Sequence, residues 1–113
     1  MKTHTLKFRA VNKDTFEAIE SNKKKVETRA GTVKNTKIEV GDVLKFVCGK
    51  ESFEKKVSNI KKYKNIKAIL KDYEPKEINP KLKTEGETID MYYSFPKYKE
   101  KIKKYGLIAF ELK

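Results

Sequence analysis

The sequence predicts an α+β fold, in which strands at both ends of the chain enclose a region of helices. Residues 3–9 alternate between polar and apolar side chains, the pattern of a strand with one buried face. Residues 105–112 (YGLIAFEL) place apolar side chains on both faces, as in a central strand covered on both sides. Segments with helical spacing lie between these two strands, and this arrangement indicates the α+β class.

A short helix and a charged strand are predicted after the first strand. Residues 14–17 match a capping box, and apolar side chains at helical spacing follow up to about Ser21. Residues 25–30 then alternate as a second strand. Glu27 and Arg29 are two residues apart, so they share one face of that strand.

The middle of the chain predicts a β-hairpin. Gly41 and Asp42 form a turn before a buried strand that contains residues 43–47. Residues 51–60 are strand-like but strongly charged, which favours an edge or exposed strand paired with its predecessor.

Three helices are predicted in the second half. Asn65 can cap a helix whose apolar face extends to Tyr73, and Pro75 and Pro80 should bound the loop after it. The other two helices are defined by a capping box and by a lysine-rich segment. Thr84 and Glu87 can form that box at the start of a helix that ends before Pro96, and we expect Ile89, Tyr92 and Tyr93 to point inward. In the lysine-rich segment, residues 97–104 (KYKEKIKK), Tyr98 and Ile102 are four apart and so lie on one helical face.

Length and charge indicate one basic domain over residues 1–113. The chain has 28 Lys and Arg against 16 Asp and Glu, a formal net charge of +12. Such a charge attracts phosphate backbones, which puts nucleic acid first among expected partners. A lysine-rich surface that only serves solubility is the alternative.

Two residue types restrict the possible chemistry. Cys48 is the only cysteine, so it forms no internal disulfide, and we expect a buried or strand-end thiol. His4 is the only histidine and has no companions at ligand spacing, so we expect no metal and no cofactor.

No signal peptide or membrane-spanning stretch is evident, which favours a cytoplasmic protein.

Residues 16–29 (FEAIESNKKKVETR) resemble the signature of the ASCH family, in which a helix leads into a Gly-x-Lys-x-x-Glu-x-Arg motif at the second strand. Lys24, Glu27 and Arg29 match that motif, and Asn22 stands where glycine is usual. Asparagine tolerates the left-handed backbone conformation that such a helix exit requires. Residues 40–42, 80–87 and 105–106 extend the resemblance over nearly the whole chain, in the expected order.

The resemblance implies a PUA-like fold, a small β-barrel-like mixed sheet flanked by short helices, with a cleft beside the motif strand that receives RNA or a nucleoside. Lys24 and Arg29 would be ligand contacts, while Glu27 would either contact the ligand or hold the cleft's shape by pairing with Arg29. Tyr92 and Tyr93, like Tyr98 and Tyr105, would either stack on a base or pack in the core.

Some ASCH-like proteins are amidohydrolases that act on acetylated cytidine with a lysine, a threonine and a glutamate. Here Lys24 matches the lysine, Glu27 occupies the threonine position, and Glu87 is the candidate for the second carboxylate. Thr28 should point to the opposite face of the strand and is a poor substitute nucleophile. Binding of RNA or a nucleoside is therefore the leading hypothesis. Nucleoside hydrolysis, RNA cleavage and a protein-interaction adaptor are the alternatives, and we expect a monomer.

Overall fold

The five strands form one curled, mixed sheet in the order β1-β3-β4-β5-β2. The structure is a computed structural model that describes all 113 residues. Only β1 and β3 are parallel, and the other neighbouring strands are antiparallel. The strands are β1 (Thr3–Phe8), β2 (Val26–Ala30), β3 (Val43–Cys48), β4 (Glu51–Tyr63) and β5 (Leu107–Leu112).

Strand β4 gives the sheet its curl. It has 13 residues, pairs with β3 through its first half and with β5 through its second half, and carries a β-bulge between Val57 and Asn59. A bulge bends a strand and increases its twist, so the two halves of the sheet turn toward each other. The result is a half-barrel whose two open edges are β1 and β2.

Six short helices flank the sheet. The first follows a single 3-10 turn at Ala10–Asn12, and the fifth and sixth lie directly before β5. The helices are α1 (Lys13–Glu20), α2 (Val33–Thr36), α3 (Ile66–Ile69), α4 (Pro75–Ile78), α5 (Glu85–Ser94) and α6 (Tyr98–Tyr105). The α+β fold class, with a half-barrel mixed sheet and short flanking helices, is thus as predicted.

The two faces of the sheet cover separate hydrophobic cores. One core lies inside the half-barrel and includes Phe16 and Phe46, and the other lies between the sheet and α3 to α6 and includes Tyr92. Strand β5 contributes side chains to both cores, because Ile108 belongs to the first core and Leu107 to the second. Its apolar side chains on both faces are explained by this position.

Several local predictions are confirmed. The Asn65 side chain caps α3 by accepting a hydrogen bond from the Ala68 amide, and Thr84 and Glu87 form the capping box of α5. Cys48 is buried at the end of β3. Asn22 has a φ of 66°, the left-handed conformation expected at the exit from α1.

Other predictions are wrong. Strand β4 pairs with β3 and carries exposed or half-buried charged residues, as predicted, but it is not an edge strand, because it lies between β3 and β5. Asp14 is inside the first turn of α1, and the N-cap is Asn12. Pro75 does not bound a loop but opens α4, because its fixed φ suits the first helical turn.

Tyr93 is not turned inward. Residues four apart share a helical face, so Thr88 and Tyr92 are buried together, and Tyr93 is turned away from them. Its side chain is 46% exposed, and the Lys99 ammonium lies 5.6 Å from its ring centroid.

The radius of gyration is 13.1 Å, close to the ~13 Å expected for one compact domain of about this length. None of the helices is long and apolar enough to cross a membrane.

Candidate functional site

A cavity of about 170 Å³ lies at the open edge of the half-barrel, between the two edge strands. Strand β1 and the turn after it supply one wall and β2 supplies the floor. The opposite wall comes from α4, α5 and the segment that leads into α6. Because β1 and β2 do not pair with each other, their edges leave room for a ligand where a closed barrel would have none.

Lys24 lies beneath this cavity and is only 3% exposed. Its ammonium donates to the carbonyl oxygen of Val26 at 2.6 Å and to that of Ile78, and it lies 3.5 Å from Glu27 Oε1. Two of its three protons are thus donated to backbone carbonyls, and the Glu27 carboxylate is its ion-pair partner. Burial lowers the pKa of Lys24, and Glu27 opposes that effect. Lys24 therefore holds the carboxylate and the α4 backbone in place.

Glu27 presents the only carboxylate in the cavity and is 4% exposed. Its Oε1 accepts the Thr28 backbone amide at 3.2 Å in addition to the Lys24 contact. Its Oε2 accepts Arg29 Nε at 3.0 Å. Three of the roughly four acceptor positions of the carboxylate are thus used, which leaves one on Oε2. The floor of the cavity offers a fixed, negatively charged hydrogen-bond acceptor.

Arg29 bridges the two edge strands. Its Nε is bonded to Glu27, and its guanidinium carbon lies 5.0 Å from the centroid of the Phe8 ring on β1. A guanidinium above an aromatic face is attracted by the ring quadrupole. The remaining guanidinium donors have no protein partner, so they are free to donate to a ligand.

Two tyrosines support the far wall. The Tyr92 hydroxyl lies 2.5 Å from Thr28 Oγ1, and burial raises the pKa of Tyr92. The Tyr98 hydroxyl accepts the Ala30 amide at 3.4 Å, and burial also raises the pKa of Tyr98. Both hydroxyls thus stay protonated at neutral pH. Phe8, Phe95 and Tyr98 give the cavity aromatic walls, and the completely buried Tyr92 packs against Phe95, with 6.4 Å between the ring centroids.

Four of the predicted ligand contacts come together in this cavity: Lys24, Glu27, Arg29 and Tyr92. Tyr93 and Glu87 do not line it. Glu87 is exposed, and its Oε1 accepts the backbone amides of Lys83 and Thr84 at the start of α5. Thr28 faces the helices, where strand alternation places it, and its hydroxyl is bonded to Tyr92.

Sequence reasoning missed the wall residues Phe8, Phe95 and Asn79. Each lies on a different segment, and no spacing in the sequence connects them. Asn79 is buried and donates to Thr15 Oγ1 at 3.1 Å, which ties α4 to α1. The acid-free, aromatic composition of residues 91–98 is the only local signal that could have pointed to this wall.

The fold and the cavity define a class of small α+β proteins with a half-barrel sheet and a charged recess at its open edge. No protein-family model and no curated protein matches the sequence. Among solved structures, the chain is similar over its full length to hypothetical protein PH0355. The identity is 30%, the TM-score is 0.84, and 98% of that chain is covered.

It is also similar over its full length to protein PF0455 from Pyrococcus furiosus, with 30% identity, a TM-score of 0.77 and 96% of that chain covered. The chain belongs to one family with these two proteins. Neither name states a ligand or an activity, so the argument for function depends on the cavity.

Proposed function

We propose that the protein is an ASCH-like domain that binds RNA or a nucleoside by accepting one base in the cavity between β1 and β2. The observation that carries the proposal is the Glu27 carboxylate. It is buried, fixed by three hydrogen-bonding or ionic partners, and has an acceptor position left at the floor of an aromatic cavity.

The size and walls of the cavity suit a flat, small ring. Pockets for drug-sized ligands have volumes of roughly 300–1,000 Å³, and this cavity has about 170 Å³. Aromatic walls stack on unpaired bases, which is the usual way in which proteins recognise single-stranded RNA. A single base is therefore a better match than a duplex or a large cofactor.

The polar groups suit the edge of a base. A carboxylate accepts an amino or imino N–H, and a guanidinium donates to ring nitrogens or carbonyl oxygens. Glu27 and Arg29 present these two functions side by side, 3.0 Å apart. The pair can thus contact neighbouring acceptor and donor positions on one base.

The mouth of the cavity suits phosphate. Lys7 and Arg9 line it and are both exposed, at the end of β1 and directly after it. Lysine and arginine on the rim, within a chain of net charge +12, would attract the phosphates on either side of a bound base.

Hydrolysis of an acylated nucleoside draws less support from the site. The buried Lys24 ammonium donates to two backbone carbonyls and is paired with Glu27, and Glu87 is engaged in the cap of α5. The one hydroxyl on β2, that of Thr28, is hydrogen-bonded to Tyr92.

The test is calorimetric titration of the wild type and two variants with the four ribonucleoside monophosphates and with ribose 5-phosphate. Wild type should bind at least one nucleotide and bind ribose 5-phosphate at least tenfold more weakly. Glu27→Gln should lose about tenfold or more, because charge-assisted hydrogen bonds contribute roughly 1.5–3 kcal/mol. Glu54→Gln, which removes an exposed carboxylate outside the cavity, should bind as wild type does. Equal affinity of all three proteins would overturn the proposal.

A further inference from the structure

A second concavity, of about 440 Å³, lies where β4 ends and β5 begins. Its lining contains lysines and tyrosines but no aspartate or glutamate. We call the part formed by Lys62, Lys64, Lys103, Lys104 and Tyr105 the lysine groove. None of these five residues lines the cavity that contains Glu27.

The backbone brings two distant lysine pairs together. Lys62 is near the end of β4 and Lys64 follows that strand, two residues apart, whereas Lys103 and Lys104 are in the last turn of α6. Gly106, with a φ of 72°, then reverses the chain, and a Cβ atom there would overlap the Tyr63 carbonyl. Only glycine allows α6 to end this close to β4, so the groove is fixed by the fold.

The four lysines lack counter-charges. None of them forms an ion pair with a carboxylate, whereas Lys61 on the other face of β4 pairs with Glu111. The dipole of α6 favours Lys103 and Lys104 at its C-terminus but gives no reason for Lys62 and Lys64. Uncompensated like charges around one concavity repel each other, and a bound polyanion relieves that repulsion.

Tyr105 adds a surface for a base. Its side chain is 42% exposed, and the Lys104 ammonium lies 5.2 Å from its ring centroid. Aromatic rings between backbone-binding cations are typical of single-strand binding, since any base can stack on them.

A membrane surface matches the lysine groove less well than RNA does, because α6 buries Ile102 and presents no large aliphatic side chain to solvent.

We infer that the lysine groove is a second contact for single-stranded RNA, which binds the phosphate backbone away from the base in the Glu27 cavity. The inference rests on the proposed function, since one strand would occupy both places. Monomeric nucleotides need only the cavity and should be insensitive to changes in the groove.

The experiment compares two variants that lose the same four positive charges. The groove variant carries Lys→Gln at positions 62, 64, 103 and 104. The control carries Lys→Gln at exposed, unpaired positions that line neither concavity, which are Lys50, Lys67, Lys71 and Lys83. Binding of a fluorescent ten-nucleotide oligouridylate is measured by anisotropy from 50 to 300 mM NaCl, together with binding to vesicles that contain phosphatidylserine.

For single strands, the slope of log affinity against log salt is about −0.7 per phosphate contact. The slope of the groove variant should therefore be smaller in magnitude by about 2 to 3, and that of the control by less than about 1. Tyr105→Ala should weaken RNA binding at least about fivefold without changing the slope.

Equal slopes for the two variants would overturn the inference. So would a groove variant that loses vesicle binding but keeps RNA binding, because that result assigns the groove to membranes. These outcomes leave the proposed function intact if nucleotides still bind the wild type and bind Glu27→Gln about tenfold or more weakly. Failure of the wild type to bind any nucleotide or RNA instead removes the proposed function itself.

Discussion

Lys24 Nζ lies 3.5 Å from Glu27 Oε1, and both side chains are almost completely buried. The two residues are three positions apart, at the entrance to β2 and within it. Burying two charges is costly unless each has further partners. Lys24 has two backbone carbonyls, and Glu27 has the Thr28 amide and Arg29, so the pair is one element of a larger network.

Replacing Lys24 should be strongly destabilising. Lys24→Met leaves the carbonyls of Val26 and Ile78 without a donor and removes a counter-charge from Glu27, so we expect a loss of about 3–5 kcal/mol. Urea denaturation measures this loss. The matched control is Lys25→Met, which changes an exposed neighbour and should stay within about 0.5 kcal/mol of wild type. Equal midpoints for the two variants would show that the buried network contributes nothing.

The hydroxyls of Thr28 and Tyr92 should be energetically coupled. They lie 2.5 Å apart, and Tyr92 is completely buried. Thr28→Val and Tyr92→Phe each leave the other hydroxyl unpaired, so each should cost about 1–3 kcal/mol. The double variant should cost less than the sum, with a coupling of at least about 0.5 kcal/mol in a double-mutant cycle. Strict additivity would mean that the two hydroxyls do not interact in solution.

Asn22 should be replaceable by glycine but not by a β-branched residue. Its φ of 66° is left-handed, and its only side-chain partner is the half-buried Lys55, at 2.7 Å. Asn22→Gly should match or exceed wild-type stability, and Asn22→Val should lose about 1–2 kcal/mol. The stabilities of wild type and the two variants are compared by thermal unfolding. A valine variant as stable as the glycine variant would be inconsistent with the left-handed turn.

Asp42 should make stability depend on pH in acid. A hydrogen bond from His4 and two from backbone amides lower its pKa to about 2. A lowered folded-state pKa stabilises the fold above the unfolded value of about 3.9, and that contribution is lost as pH falls through about 2.

The measurement is urea denaturation of wild type and Asp42→Asn between pH 6 and pH 2. Wild type should be more stable at pH 6, and the difference should shrink below about pH 4 and vanish near pH 2. Asp90→Asn, at an exposed carboxylate without a partner, should show no such dependence. A constant difference between wild type and Asp42→Asn across the range would contradict the assignment.

Local signals in the sequence predicted those elements whose causes are local. The Asn65 cap and the Thr84–Glu87 capping box need only neighbouring residues, and both are present. The two-sided apolar pattern of residues 107–110 correctly predicted a strand between two cores. The position of β4 depends on which strands pair, and its charged residues gave no sign that it would lie inside the sheet.

In the site, too, contacts between residues near in sequence could be predicted, and contacts between distant segments could not. The motif spacing brought Lys24, Glu27 and Arg29 together correctly, because they share one strand and its entrance. The spacing could not show that the Lys24 ammonium would donate to two backbone carbonyls, since one of them belongs to Ile78, 54 residues away. Nor could it predict the Phe8 ring under Arg29, which depends on β1 and β2 being the two open edges.

NMR titration of the labelled protein, with the nucleotide that binds best and with ribose 5-phosphate, tests directly whether a base binds at Glu27. A base at Glu27 should give saturable shifts at the Thr28 amide and the Arg29 Nε–H, both of which donate to Glu27, with the nucleotide but not with the sugar phosphate. Identical shifts with both ligands, or shifts confined to the lysine groove, would contradict a base bound at Glu27.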